Sequence, residues 1–181
     1  MVNCKIPPAR QPGLCHDCAM FDSTDKEIHE HTASDLVHLL ENNLLTSKDV
    51  VHQLQERIEK IDQRGYELNS VLTLDESAVE QAKQLDSTST TVGPLTGIPI
   101  LVKDNIEVVG LPGTAGSLAL GNRPVAQDAP LVSRLRAAGA IILGSTNLSE
   151  WANIRSSKST SGWSAVGGLT ANPWIHAHSA G

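Results

Sequence analysis

An α/β fold, with a helical N-terminal section ahead of it, is predicted by three features of the sequence. Residues 98–102 and 140–144 form short uninterrupted apolar runs, the length and texture of strands buried on both faces. Between them Asp128-Ala129-Pro130 opens a helical pattern that Gly139 ends. Strand, helix and strand with short connections make one layer of an α/β sheet with parallel or mixed pairing.

The elements follow in order. Residues 1–30 hold Pro7, Pro8, Pro12 and Gly13, which break regular structure, and read as a disordered leader. From Thr32 the chain becomes periodic: Ser34 caps a short helix with Leu36, Leu39 and Leu40 on one side, and Asn42-Asn43 ends it. Thr46-Ser47-Lys48-Asp49 resembles a capping box with Asp in place of Glu, and opens a helix in which Val50 or Val51, Leu54, Ile58 and Ile61 recur at helical spacing before Gly65 closes it. Val71-Leu72-Thr73-Leu74 reads as a short strand, and Val79, Ala82 and Leu85 outline another helix. This helical section spans residues 31–86, and residues 86–92 form a polar joint to the part that carries the chemistry, 93–181. There, residues 106–109 read as a further strand after 98–102, and the helix after Pro130 is expected to turn Leu131, Leu135 and Ala138 inward.

Composition narrows the function. The chain has 181 residues, a net charge of -6 and 40% hydrophobic residues, enough for one domain or a piece of a larger one. An acidic balance without a basic cluster excludes the footprint of nucleic-acid binding. No apolar run approaches the roughly 20 residues of a membrane span, and the N-terminus lacks the apolar stretch of a secretory signal, so a cytoplasmic location is expected. Cys4, Cys15 and Cys18 all lie near the start. Cys15-His16-Asp17-Cys18 has the spacing of half a zinc knuckle, with His29 and His31 beyond it, but a structural zinc wants two close ligand pairs and one is present. No metal and no cofactor are expected.

The residue that stands out is Lys103, at the end of the run 98–102 and followed by Asp104 and Asn105. Its spacing alone leaves two readings open: a charged lysine paired with Asp104 or another carboxylate, or a base made neutral by burial. A free lysine has a pKa of about 10.4 and an acylation base needs roughly 7 to 8, a shift of about 4 kcal/mol that desolvation can supply. Asp104 and Asn105 are expected to hold the loop through backbone hydrogen bonds, and Thr146, Asn147, Ser149 and Glu150 to cap the turn after the strand ending at Gly144. Ser156, Ser157, Ser159 and Ser161 read as loop residues, and His176 and His178 as a solvated tail.

The ordered blocks Gly93-Pro94-Leu95-x-Gly97-Ile98-Pro99-x-x-Val102-Lys103-Asp104-Asn105, Asp128-Ala129-Pro130-Leu131-Val132, Thr146-Asn147-Leu148-Ser149-Glu150-Trp151-Ala152, Gly162-Trp163-Ser164 and Asn172-Pro173-Trp174 resemble the N-terminal part of the amidase signature family. The wording Ser149-Glu150-Trp151-Ala152 with Gly162-Trp163-Ser164 is more similar to its peptide-amidase and fungal amidase branch than to the tRNA-dependent amidotransferase A subunits. The resemblance implies a serine hydrolase of carbon–nitrogen amide bonds with a Ser, cis-Ser, Lys triad, in which Lys103 is the base. It implies a bridging serine in a Gly-Ser-Ser-Gly-Gly-type segment after the Asn-Pro-Trp block and a nucleophile further on. Ser179 does not match the first, and none of Ser156 to Ser161 fits the second. The resemblance implies the amidase signature fold, a mixed sheet flanked by helices. The chain is expected to be an incomplete N-terminal fragment of it, with strands lacking neighbours, and to be inactive alone, because covalent acyl transfer needs an activated hydroxyl. In an intact relative the partner is a small-molecule or peptide amide substrate. The alternatives are a fragment of the A subunit of a glutamine-dependent amidotransferase, a non-catalytic binding remnant, and a zinc module at residues 4–31 fused to a degenerate domain.

Overall fold

Strand β3 (Ile141–Thr146) organises the molecule: five of its six residues are buried, and it is the middle strand of a sheet ordered β1-β3-β2. The computed structural model describes residues 27–88, 91–121, 123, 125–175 and 178–180. Strand β1 (Val71–Leu74) pairs with β3 antiparallel and β2 (Pro99–Lys103) pairs with it parallel, so the sheet is mixed as predicted. It draws one strand from the helical section and two from the part after it. Gly144 permits this close pairing, since a Cβ there would lie 2.2 Å from the Thr73 carbonyl oxygen.

Helices α1 (Ala33–Glu41), α2 (Ser47–Arg57) and α3 (Ala78–Thr88) precede β2, and α4 (Pro130–Ala137) lies between β2 and β3. Val51 of α2 and Ala78 and Ala82 of α3 pack on Ile141 and Leu143. On the other face Val132 of α4 packs with Val102, Val108, Leu111 and Ile142. Burial of each Ile, Leu or Val side chain of this kind contributes about 1.5–3 kcal/mol, so the alternating sides of β3 tie both layers to one strand.

Local chemistry departs from the sequence expectations at several points. The cap of α1 is Thr32, two residues before Ser34: its hydroxyl accepts from the Asp35 amide at 3.1 Å, and the Asp35 carboxylate accepts from the Thr32 amide at 2.9 Å. Thr46 caps α2 by accepting from the Asp49 amide, and here the Asp49 carboxylate accepts from the Thr46 hydroxyl at 2.7 Å, where Asp35 accepts from the backbone amide of its cap. After Arg57 the helix widens into a π-type turn (Ile58–Gln63), and Gly65 follows where a Cβ would meet the Lys60 carbonyl at 2.3 Å. Asp62, buried there, accepts from the Ser70 and Val71 amides and from the Ser70 hydroxyl, which fixes the start of β1.

Further expectations are corrected. Residues 106–109 form no strand: the chain turns at once, with the Ile106 amide donating to the Lys103 carbonyl, and Val108 drops into the core beneath α4. Helix α4 has Pro130 in its first turn but Ala129 as its cap, while the Asp128 carboxylate accepts from the Val109 amide and from Arg136 Nε. Its buried residue is Val132, with Leu135 packed beside it as expected, while Leu131 is 44% exposed. Residues 86–88 are the last turn of α3 and no part of a joint: the Asp86 carboxylate accepts from the Ser47 amide at 2.8 Å and the Lys48 amide at 3.0 Å, closing the N-terminus of α2 from another helix. The expected leader overlaps the described residues at 27–30, where Ile28 is buried against Leu36, Val50 and Ile98. Cys4, Cys15, Cys18 and His176 lie outside the described residues.

Candidate active site

Lys103 is the last residue of β2 and lies in register with Thr146, the last residue of β3. Both therefore sit at the carboxyl end of a parallel strand pair, the end of an α/β sheet at which ligands bind. Lys103 is exposed, and among the described residues its side chain makes no ion pair or hydrogen bond. Among the described residues the burial expected of it is absent, and so is the pairing with Asp104 or another carboxylate of the alternative reading.

Asp104 has other partners. It is 2% exposed, and its amide donates to the Thr146 carbonyl at 3.1 Å, extending the parallel ladder by one residue. One carboxylate oxygen accepts from the Thr114 amide at 3.0 Å, from the Thr114 hydroxyl and from the Gly116 amide at 3.4 Å, and the Asp104 carbonyl accepts from the Ala115 amide at 3.1 Å. The expectation that Asp104 holds its loop through backbone bonds is met, and the loop it holds is Gly113-Thr114-Ala115-Gly116-Ser117. Gly116, at φ +77°, passes so near the next segment that a Cβ would stand 2.8 Å from Ser164 Cβ.

That segment is knitted by residues whose place after a strand predicts turn caps. Asn147, 8% exposed, donates to the carbonyls of Asn69 and Gly168, both at 3.2 Å, and to Thr170 Oγ1 at 3.0 Å. Its side-chain oxygen accepts from the Leu148 amide at 2.9 Å and from the Ser164 hydroxyl at 2.7 Å. Ser149 accepts from the Gly162 amide at 2.8 Å, and Glu150 from the Ala165 amide at 3.0 Å. None of the three caps a local turn. Each reaches forward to a hairpin of β4 (Trp163–Ser164) and β5 (Gly168–Leu169), whose backbone pairs Trp163 with Leu169. Trp151, Ala152 and Asn153, which follow directly, have left-handed φ of 50°, 53° and 63°. Three such non-glycine residues in a row are costly, and the surrounding polar bonds hold them. Ser156, Ser159 and Ser161 bond within their own loop, as expected of turn serines. His178 is exposed.

The amidase family profile, described as Amidase, matches residues 49–181. The chain belongs to this family. The peptide amidase of Stenotrophomonas maltophilia superposes with a TM-score of 0.80 and 43% identity, over 83% of this chain and 31% of that one. The A subunit of the Methanosarcina barkeri glutamyl-tRNA(Gln) amidotransferase is 43% identical over 129 residues, covering 71% of this chain and 25% of the relative. An Arabidopsis thaliana protein whose name describes it as a probable amidase is 40% identical over 159 residues, 84% of this chain and 30% of its own. The chain thus spans about a quarter to a third of the length of the relatives it matches. Their fold is the amidase signature fold predicted from the sequence blocks.

Among the described residues no group of three or more His, Cys, Asp or Glu side chains is placed to hold a metal ion, and no helix is long and apolar enough to cross a membrane. Sequence reasoning missed Asn147 as the hub of this end of the sheet and Asp86 as a cap. Both act on residues remote in sequence, which local patterns do not register.

Proposed function

We propose that this chain supplies the lysine-bearing part of an amide hydrolase, with Lys103 as the proton acceptor. What supports the reading most is its position: the last residue of a parallel strand, beside a loop that Asp104 pins in place, in a chain of the amidase family. In the reaction a serine oxygen attacks the amide carbonyl carbon as its proton passes, by way of the bridging serine, to the neutral amine of Lys103. The carbon–nitrogen bond then breaks, the amine leaves carrying a proton, and water releases the carboxylate from the acyl-enzyme. A lysine must be desolvated to serve in this way, so the reading requires polypeptide from outside residues 1–181 to cover the end of β2 and to carry both serines.

The peptide amidase among the relatives has been crystallised with the competitive inhibitor chymostatin, which supports a peptide amide as the substrate class. A second reading, ammonia production for an amidotransferase, is favoured by the 43% identity to the Methanosarcina barkeri relative. The polar loop wording that favours the peptide-amidase branch is matched by equal identity to both, so substrate assays decide between them.

The experiment joins this chain covalently to the part of the Stenotrophomonas enzyme that it does not match. Turnover of a peptide carboxamide is expected from the joined protein, and Lys103→Ala is expected to lower kcat at least a hundredfold with the far-ultraviolet spectrum unchanged. Undiminished turnover in that variant removes Lys103 as the base. Glutamine hydrolysis in place of peptide amide hydrolysis selects the second reading. The 181-residue chain by itself is expected to take no label from a fluorophosphonate serine probe, and stoichiometric labelling overturns the assignment of the serines to other polypeptide.

A further inference from the structure

A hollow outside the candidate active site lies at the other end of β2. It has a volume of about 250 Å³ and is bordered by the end of α1, the first turn of α2, the last turns of α3 and residues 91–96, which lead towards the strand. Lys103 ends β2 on the opposite side, and at about 3.3 Å per residue the strand sets the two places roughly 13 Å apart.

The walls of the hollow are tied together. The Asp86 carboxylate joins α3 to α2 by accepting from the Ser47 amide at 2.8 Å and the Lys48 amide at 3.0 Å. The Thr96 hydroxyl accepts from the Val92 and Gly93 amides, both at 2.9 Å, and donates to the Gly93 carbonyl at 2.7 Å, which fixes the remaining side. Val37, Leu40, Leu45 and Leu85 make part of the lining hydrocarbon. A cleft built in this way is largely formed before a ligand arrives.

Two polar groups of the lining have no protein partner. The Glu41 carboxylate makes no ion pair or hydrogen bond among the described residues, and no Lys, Arg or His side chain lines the hollow. Ser47 is 5% exposed, and its hydroxyl is likewise unpartnered among the described residues. Among those residues Ser145 Oγ is the unpartnered side-chain atom that is wholly enclosed, so the Ser47 hydroxyl keeps a small opening, and the space it opens on is the hollow that Ser47 lines. Burial has taken most of its contact with water, and a ligand that bonds to it restores what was lost.

The charge around the hollow selects the ligand. Glu41 is the last residue of α1 and Asp86 lies near the end of α3, so two negative helix ends and two carboxylates border it. The one positive helix end, that of α2, is covered by Asp86. We propose that this hollow binds a protonated amine carrying a small apolar group. The ammonium donates to Glu41 and to the Ser47 hydroxyl, and the apolar group displaces water from the four aliphatic side chains. A cavity of about 150 Å³ takes a benzene ring, so this one has room for a ring with a short ammonium arm. The site is built from residues remote from Lys103, and its occupancy does not depend on the role of that lysine.

The test titrates the 181-residue chain, labelled with nitrogen-15, with 2-phenylethylammonium chloride at pH 7 and low salt, and follows the backbone amide resonances. Saturable shifts are expected at Ser47, Gly93 and Thr96. The neutral isostere 2-phenylethanol is expected to bind roughly tenfold more weakly, and 3-phenylpropionate to give no saturation. Glu41 is exposed and unpaired, so Glu41→Gln leaves the circular dichroism unchanged while the affinity falls roughly tenfold. Ser47→Ala weakens binding by a smaller factor, and Glu76→Gln, an exposed position at the opposite end of α3, leaves it as it was. The proposal is overturned if no resonance shifts saturably, if the shifts fall on other residues, if the alcohol binds as tightly as the amine, or if Glu41→Gln has no effect. Lys103→Ala is expected to bind the amine as the parent does, so the lysine assignment, which is read in turnover, stands or falls separately.

Discussion

At the residue scale the decisive groups are polar side chains that reach across the chain. Asn147 has partners up to 78 residues away, at Asn69, and its removal takes an acceptor from the Ser164 hydroxyl and a donor from the Gly168 and Asn69 carbonyls, the latter keeping its bond from the Thr170 hydroxyl. Asn147→Ala is therefore expected to destabilise the protein by about 3 kcal/mol, read as a lower urea midpoint at constant slope; a change below about 0.5 kcal/mol contradicts the hub. The same distance explains why its role is illegible in the sequence. A residue after a strand reads as a cap because capping is decided by neighbours, whereas Asn147 is decided by a hairpin some 20 residues later. Lys103 shows the complementary case. Its place at a strand end is legible from the apolar run before it, but its exposure depends on what packs over that end, which spacing does not encode.

At the scale of elements, helices and strands with strong periodicity emerge where expected, and their ends do not. Strands β1, β2 and β3 and helices α1 to α4 all correspond to predicted segments. The run at 106–109 fails as a strand because three apolar residues around Glu107 suit a loop equally well, and the chain turns at Lys103 just before it. In α4 the expected inward face is met at Leu135, which packs on the core, but Val132 takes the buried position in the first turn and Leu131 faces out, a difference that an eight-residue helix leaves undetermined. Asp86 belongs to this scale, since it ends one helix and begins another. Asp86→Ala removes both bonds to the first turn of α2 and is expected to cost about 1–2 kcal/mol, whereas Asp49→Ala, which leaves those bonds in place, costs less. Thermal unfolding of the two variants side by side checks the order, and a larger loss at Asp49 refutes the capping by α3.

For the whole molecule, the distribution of apolar surface is uneven. The sheet is covered on both faces by α2, α3 and α4, yet the loops beyond its carboxyl end leave every tryptophan in contact with water. The intrinsic emission of the chain alone is expected to lie close to that of tryptophan in water and to be readily quenched by iodide. A blue-shifted, protected emission would mean that these side chains are already covered. The family itself is legible because its sequence blocks are ordered along half the chain. The openness of this end is not, because the blocks do not record which of their residues face other parts of a larger fold.

The sheet order has a bearing on biosynthesis. Neither β1 nor β2 pairs with the other; each pairs only with β3, the last of the three to be translated. Until residue 146 has left the ribosome, two apolar strands and the helical faces that cover them wait without a ladder to join. The nascent chain is thus a candidate client for chaperones through most of its synthesis, and its sheet closes in one late event, not strand by strand.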